Sequence, residues 1–194
     1  MSDPGAPAGA APAPAGATTA REAAVELAGS MPDATRSATL TWQDPVPTAI
    51  RGLELSGLEY MRAVARKEIP PAPIAVLMNM APIEIAEGRV VFSAEAGEEH
   101  YNPIGMVHGG FAATLLDSAT GCAVHTTLEA GVPYASLGLE VKYLRAITSE
   151  TGTVHCAAEV TYRGKRQATA DARLTEAGTG RLLATGTSTC MILG

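Results

Sequence analysis

The chain has 194 residues, 46% hydrophobic and 18% charged, with a formal net charge of −6 and a pI near 5.2. That length suits one compact domain with extensions and enough apolar residues for a sizeable core. The acidic balance excludes a general nucleic-acid binder, which needs a basic face, and no apolar run reaches the ~18 residues a membrane helix needs.

Residues 1–20 are Ala, Pro or Gly at 15 of 20 positions, with no Lys or Arg. The basic start and apolar centre of a signal peptide are missing, so residues 1–38 read as a flexible tail, with a short helical turn expected over 21–28. Residues 39–55 hold the only tryptophan, Trp42, beside Pro45 and Pro47. They read as an extended arm, with Trp42 capping an apolar surface. A domain is expected over 56–194. It opens on a helix at 56–68, where Leu58, Met61, Val64 and Ala65 share a face, ended by Pro70, Pro71 and Pro73. Strands are expected at 74–86 and 89–96, joined by a turn at Glu87-Gly88.

Next comes a stretch of about twenty residues with almost no charge. After the turn Asn102-Pro-Ile-Gly105, apolar residues at 111, 112, 115, 116, 119, 122, 123 and 124 leave little polar face. This predicts a helix buried nearly all round, with one carboxylate, Asp117, inside it. A buried carboxylate needs a partner or a task, since leaving it unpaired costs several kcal/mol, on the order of a lost ion pair. At the helix start, His108-Gly109-Gly110 offers backbone N–H groups and the positive end of the helix dipole to an anion or a polarised carbonyl oxygen. From Gly109 to Asp117 is about 12 Å along a helix. Both can therefore serve one reaction only if the acid comes from a second copy of the chain, with the two helices antiparallel.

Beyond the break at Gly131-Val-Pro133, four strands are expected at 134–144, 152–162, 166–175 and 181–192. Arg163-Gly164-Lys165 and Glu176 to Gly180 would form tight hairpin turns. The economical arrangement is α+β, an antiparallel sheet of six strands wrapped around one long central helix. His100, His125 and His155 show no metal-ligand spacing, so no metal is expected. Cys122, Cys156 and Cys190 each lie in an apolar element and read as free buried thiols, which fits a reducing cytoplasm. No Gly-x-Ser-x-Gly elbow is present for a serine hydrolase.

Residues 56–192 resemble the hotdog-fold acyl-CoA thioesterases of the phenylacetyl-CoA (PaaI-like) family. The words that carry the resemblance are His100-Tyr-Asn102-Pro-x-Gly105-x-Val-His108-Gly109-Gly110, then Leu115-Leu-Asp117-Ser, then Leu139-Glu-Val-Lys-Tyr143-Leu-Arg145, then Arg163-Gly-Lys-Arg166, and last Gly180-Arg-Leu-Leu-Ala-Thr-Gly186. One related aryl-CoA branch has Glu where this chain has Asp117. The resemblance implies a hotdog fold whose active sites are built across a homodimer, with dimers pairing into a tetramer. It implies that the Gly109 amide polarises the thioester carbonyl, that His108 fixes that turn, and that Asp117 acts as base or nucleophile. Asn102 would position water or the carbonyl, and Ser136 would supply a supporting hydroxyl. Gly110, Tyr143, Arg145 and the turn Arg163, Gly164, Lys165, Arg166 would hold the CoA, its phosphates on the basic side chains. CoA is then part of the substrate and no cofactor is required.

Taken without the resemblance, Asn102 before a proline is equally a turn residue, His108 a structural histidine, and the 163–166 turn a solvated hairpin. Two function classes follow. The first is hydrolysis of an acyl-CoA, aromatic or aliphatic, at pocket walls near Asn79, Met80, Ala113 and Ser118. The alternative is a hotdog dimer that binds or senses acyl-CoA without turnover. A hydratase ranks below both, because no second suitable His lies near His108.

Overall fold

The computed structural model describes residues 35–193. Most of the expected tail and the turn at 21–28 therefore lie outside the described residues, and residues 35–39 belong to no helix or strand. The chain divides into one unit from Met1 to Thr39 and a second from Leu40 to Gly194; all the elements below lie in the second.

The expected arm is partly helical. Helix α1 spans Pro45–Gly52, N-capped by Asp44, whose side chain accepts the Val46 N–H at 2.9 Å. Prolines that suggest extended chain are here in the first turn, where the missing N–H costs nothing and the fixed φ helps. Trp42 is 52% exposed rather than capping a surface. Helix α2, Gly57–Ala65, starts on a reciprocal capping box between Ser56 and Glu59 and buries Met61 and Ala63. A second correction follows: Pro73–Leu77 is a short helix, α3, begun by Pro73, and the first strand starts only at Met80. Asn79, at φ +46°, turns the chain between them.

The strands are β1 Met80–Ala86, β2 Arg89–Glu95, β3 Tyr134–Tyr143, β4 Thr153–Arg163, β5 Gln167–Glu176 and β6 Leu182–Ile192, and the long helix α4 is Gly109–His125. All strand pairs are antiparallel, in the order β1-β2-β4-β5-β6-β3. The strand that follows α4 thus crosses to the far edge. Alternate residues point at the helix: Val154, Cys156 and Ala158 on β4, Ala168, Ala170, Ala172 and Leu174 on β5. The run of alanines lets α4 lie close, and a Cβ at Gly186 of β6 would stand 3.2 Å from Leu116 Cβ. Leu115 and Leu116 are fully buried, each worth about 2 kcal/mol of apolar burial. Helix α4 packs on β2, β3, β4, β5 and β6, the sheet-round-helix arrangement expected from the element order.

Burial of α4 is not uniform. Its sheet side is sealed, but Asp117 is exposed, and Thr114, Ser118 and Cys122 are half-buried. The expectation of a buried carboxylate is corrected: the buried residues lie on the other faces of the helix, and the strip of Asp117, Ser118 and Cys122 is open or half-open in this chain. Cys156 and Cys190 are buried free thiols, and Cys122 is free but only half-buried.

Candidate active site

The start of α4 is built by a loop held at many points. Asn102 Oδ1 accepts the N–H groups of Ile104 and Met106 at 3.0 and 3.2 Å, and the Asn102 N–H donates to Met106 O at 2.7 Å. Gly105, at φ +80°, makes a turn that a side chain would strain. Val107 N–H donates to Ile147 O and His108 N–H to His100 O. Behind the loop, the His100 ring packs on Phe111 at 4.6 Å between centroids. His108 is the N-cap of α4: its Nδ1 accepts the Gly110 N–H at 2.8 Å, which places the neutral ring's proton on Nε2. The Phe111 N–H goes to His108 O. Gly109 N–H, the first of the helix, has no acceptor among the described residues.

This donor faces a cleft of about 390 Å³. Asn102, His108, Gly109, Ala112, Tyr143 and Arg145 are among the residues around it. Tyr143 lies against the glycine; a Cβ at Gly109 would stand 3.1 Å from its ring. Arg145 is tied down, its Nη1 donating to Leu182 O at 2.6 Å. The sequence-predicted residues Asn102, His108, Gly109, Tyr143 and Arg145 thus share one cleft. Asn102, however, has its side-chain oxygen committed to the turn, so only its amide nitrogen is left for a ligand.

Asp117 and Ser136 meet elsewhere. Ser136 Oγ donates to Asp117 Oδ1 at 3.1 Å, and both line a separate cavity of about 770 Å³. Met61, Val64, Ile74, Met80 and Phe92 give it apolar walls. Of the four wall positions expected from sequence, Met80 and Ser118 line it, whereas Asn79 and Ala113 do not. Its far end is aromatic and was not anticipated. His125 stacks between Tyr60 and Tyr134, with ring centroids at 5.4 and 5.3 Å. Burial pushes both phenols up and the His125 imidazole down, so the three rings are neutral near pH 7. Burial, and then the Asp117 carboxylate, pushes the Cys122 thiol up to about 12, which leaves it protonated and unreactive at neutral pH. The sequence signal for this region was slight: a glycine, Gly121, in the middle of a helix.

The basic turn occupies a third place. Arg163, Gly164 and Lys165 border a groove of about 500 Å³ with Val132 and Ile192. Arg163 Nε donates to Thr127 Oγ1 at 3.1 Å, just past the C-terminus of α4, and its Nη1 also reaches Gly164 O. The turn is therefore at the opposite end of the helix from Gly109 in the same chain. Among the described residues, no cluster of three His, Cys, Asp or Glu side chains is placed to hold a metal ion, and no helix is long and apolar enough to cross a membrane.

In one chain, then, a backbone donor without a carboxylate lies eight residues from a carboxylate without such a donor. Residues 104–183 match the model of the thioesterase superfamily. Acyl-coenzyme A thioesterase 13 of Homo sapiens is 34% identical over 114 residues, 59% of this chain and 80% of that protein. Among solved structures, a phenylacetic acid degradation-related protein of Ralstonia eutropha JMP134 is 28% identical, with a TM-score of 0.62 over 68% of this chain and 98% of that one. A mutant of the phenylacetic acid degradation protein PaaI of Thermus thermophilus is 27% identical, with a TM-score of 0.56 over 62% and 98%. With four-fifths of a curated relative aligned at that identity and the same sheet-wrapped helix in the solved structures, the chain belongs to the thioesterase superfamily, as a PaaI-like thioester hydrolase of the hotdog fold.

Proposed function

We propose that the protein hydrolyses an acyl-CoA to the free acid and CoA, in sites shared between two copies of the chain. The observation that carries this is the separation of the two half-sites on α4. Gly109 and Asp117 face different cavities and lie about 12 Å apart along one helix, so a carbonyl held by the first is out of reach of the second. Two antiparallel copies of α4 bring each donor to the other's acid. Strand β3 supports such pairing. It is an edge strand of ten residues with Leu137 61% exposed, and a long apolar edge invites a partner strand. Pairing of two such dimers is part of the same proposal.

In this reading the thioester oxygen accepts the Gly109 N–H, and the helix dipole adds to its polarisation. Asp117 of the other copy, oriented by Ser136, removes a proton from water as the water oxygen adds to the carbonyl carbon. The C–S bond then breaks, and the CoA thiolate leaves and is protonated. Direct attack by the Asp117 carboxylate, through an anhydride that water then opens, uses the same geometry. His108 holds the donor turn by capping it, Asn102 shapes the loop and offers its amide nitrogen, and Gly110 keeps the backbone close. Tyr143 and Arg145 flank the entrance. Arg163, Lys165 and Arg166, in one turn with Gly164, supply positive charge for the CoA phosphates.

The test is Asp117→Asn with a panel of acyl-CoAs and a thiol-reactive dye. The variant keeps its fold and loses about a hundredfold or more in turnover, the usual range for a lost general base. Unchanged turnover overturns the mechanism, and saturable acyl-CoA binding without thiol release by the unmodified protein favours a sensor instead.

A further inference from the structure

The cavity beside Asp117 has a direction. Asp117, Gly121 and His125 form one row on α4, each four residues apart, and Ser136 and Tyr134 form one row on β3, two residues apart. The two rows run together: Ser136 bonds Asp117, the Tyr134 ring stands 3.5 Å from where a Gly121 Cβ would be, and Tyr134 stacks on His125. The cavity therefore starts at the acid and follows the helix past Gly121 and Cys122 to a wall of Tyr60 and Tyr134, whose rings both pack on His125. Met61, Val64 and Phe92 flank this path, while the charged side chains Lys67 and Glu68 border the cavity from the loop just after α2, away from the α4 row. At about 770 Å³ the space is of the order that encloses a drug-sized ligand, far more than an acetyl group occupies.

We infer that Tyr60 and Tyr134, the latter seated over Gly121, form the wall that sets the upper size limit for an acyl group in this cavity. The inference rests on the acyl-CoA reading and adds to it the residues that set acyl size. Gly121 is what leaves room at the wall. A Cβ there makes only ordinary contact with Tyr134, so a longer side chain must either enter the cavity or push the Tyr134 ring into it. Two walls contribute independently, one from α4 and one from α2, where half-buried Val64 faces the same space.

The experiment measures kcat/KM for acetyl-, octanoyl- and phenylacetyl-CoA with the unmodified protein, Gly121→Leu and Val64→Phe. Kd values for the matching thioethers, which cannot be hydrolysed, are measured alongside. The unmodified protein favours octanoyl or phenylacetyl over acetyl by at least about tenfold, the scale on which apolar pockets discriminate, and each variant lowers that ratio by about tenfold. Val64→Phe keeps the test open if Gly121→Leu does not fold, since position 64 is on the outer helix. A preference for acetyl, or an unaltered ratio in a folded variant, overturns the inference. Chain selectivity in thioether binding with no hydrolysis of any ester would instead leave the pocket standing and remove the hydrolytic reading.

Discussion

At its N-terminus α4 presents backbone, and midway along it presents side chains. The first region is narrow and heavily pinned: four loop hydrogen bonds at Asn102, a histidine cap and a tyrosine ring surround one N–H with no acceptor among the described residues. The second is about twice as large, and one hydrogen bond, from Ser136, holds its acid. Rigidity at the donor suits a group that must be in place before charge develops on the carbonyl oxygen. Room at the acid suits a group that must accommodate an acyl chain and a water. In the proposed reaction, one helix supplies both halves of the site yet completes neither in its own chain.

The largest effect expected separates the two regions by subunit. Gly109→Pro removes the donor N–H at a position that accepts proline, after a His108 whose ψ of 139° already suits a following proline. Its activity falls about a hundredfold or more, as for other lost oxyanion donors. Mixed with Asp117→Asn, it regains activity, because each mixed dimer contains one intact site. No recovery in verified mixed dimers places both groups in one chain and breaks the comparison. Next in size is Gly109→Ala, which keeps the N–H but puts a Cβ 3.1 Å from the Tyr143 ring. That ring must shift, and kcat/KM falls about tenfold, the scale of a small misplacement at a site, with the melting temperature little changed. A fall as large as that of the proline variant would mean the ring position, not the donor, matters most.

Smaller effects concern stability. His108→Ala loses the cap bond to Gly110 and costs about 1 kcal/mol in denaturant unfolding, whereas Gly121→Ala in the roomy region stabilises by about 0.5–1 kcal/mol through the unfolded chain, because its Cβ finds ordinary contact. Equal signs for the two would remove the contrast. The smallest is an acid effect. Burial lowers the pKa of His125 from 6.5, so below about pH 6.5 the unfolded chain binds a proton that the folded chain resists. Stability from this source is complete above that pH and falls as the pH drops through the lowered folded value. Thermal melts of the unmodified protein and His125→Phe between about pH 5 and about 7.5 show the acid loss in the first and less of it in the second.

Local rules made much of this chain legible before any coordinates. Alternation and turn residues identified β2 to β6 within a residue or two, and the apolar spacing from 111 to 124 identified α4. The capping box Ser56-x-x-Glu59 and the His-Gly-Gly start are short-range chemistry, which a linear text records well. The same rules misread Pro45, Pro47 and Pro73, because a proline that breaks a helix interior is welcome in its first turn, and only the following residues' hydrogen bonding decides between the two. They also misread the surroundings of Asp117, since apolar content shows that a helix is covered but not which strip of it stays open.

What the sequence by itself determined is the set of elements, the motif words with their spacing, and the impossibility of Gly109 and Asp117 acting together on one helix, since rise per residue is fixed by backbone geometry. What only the tertiary structure decided is which distant residues meet: Ser136 with Asp117, Tyr60 and Tyr134 around His125, and the basic turn at the far end of α4. Those contacts depend on β3 crossing to the far edge of the sheet and on α2 folding back over the helix. Strand order and helix docking are set by the summed packing of the whole core, which no local stretch of residues encodes.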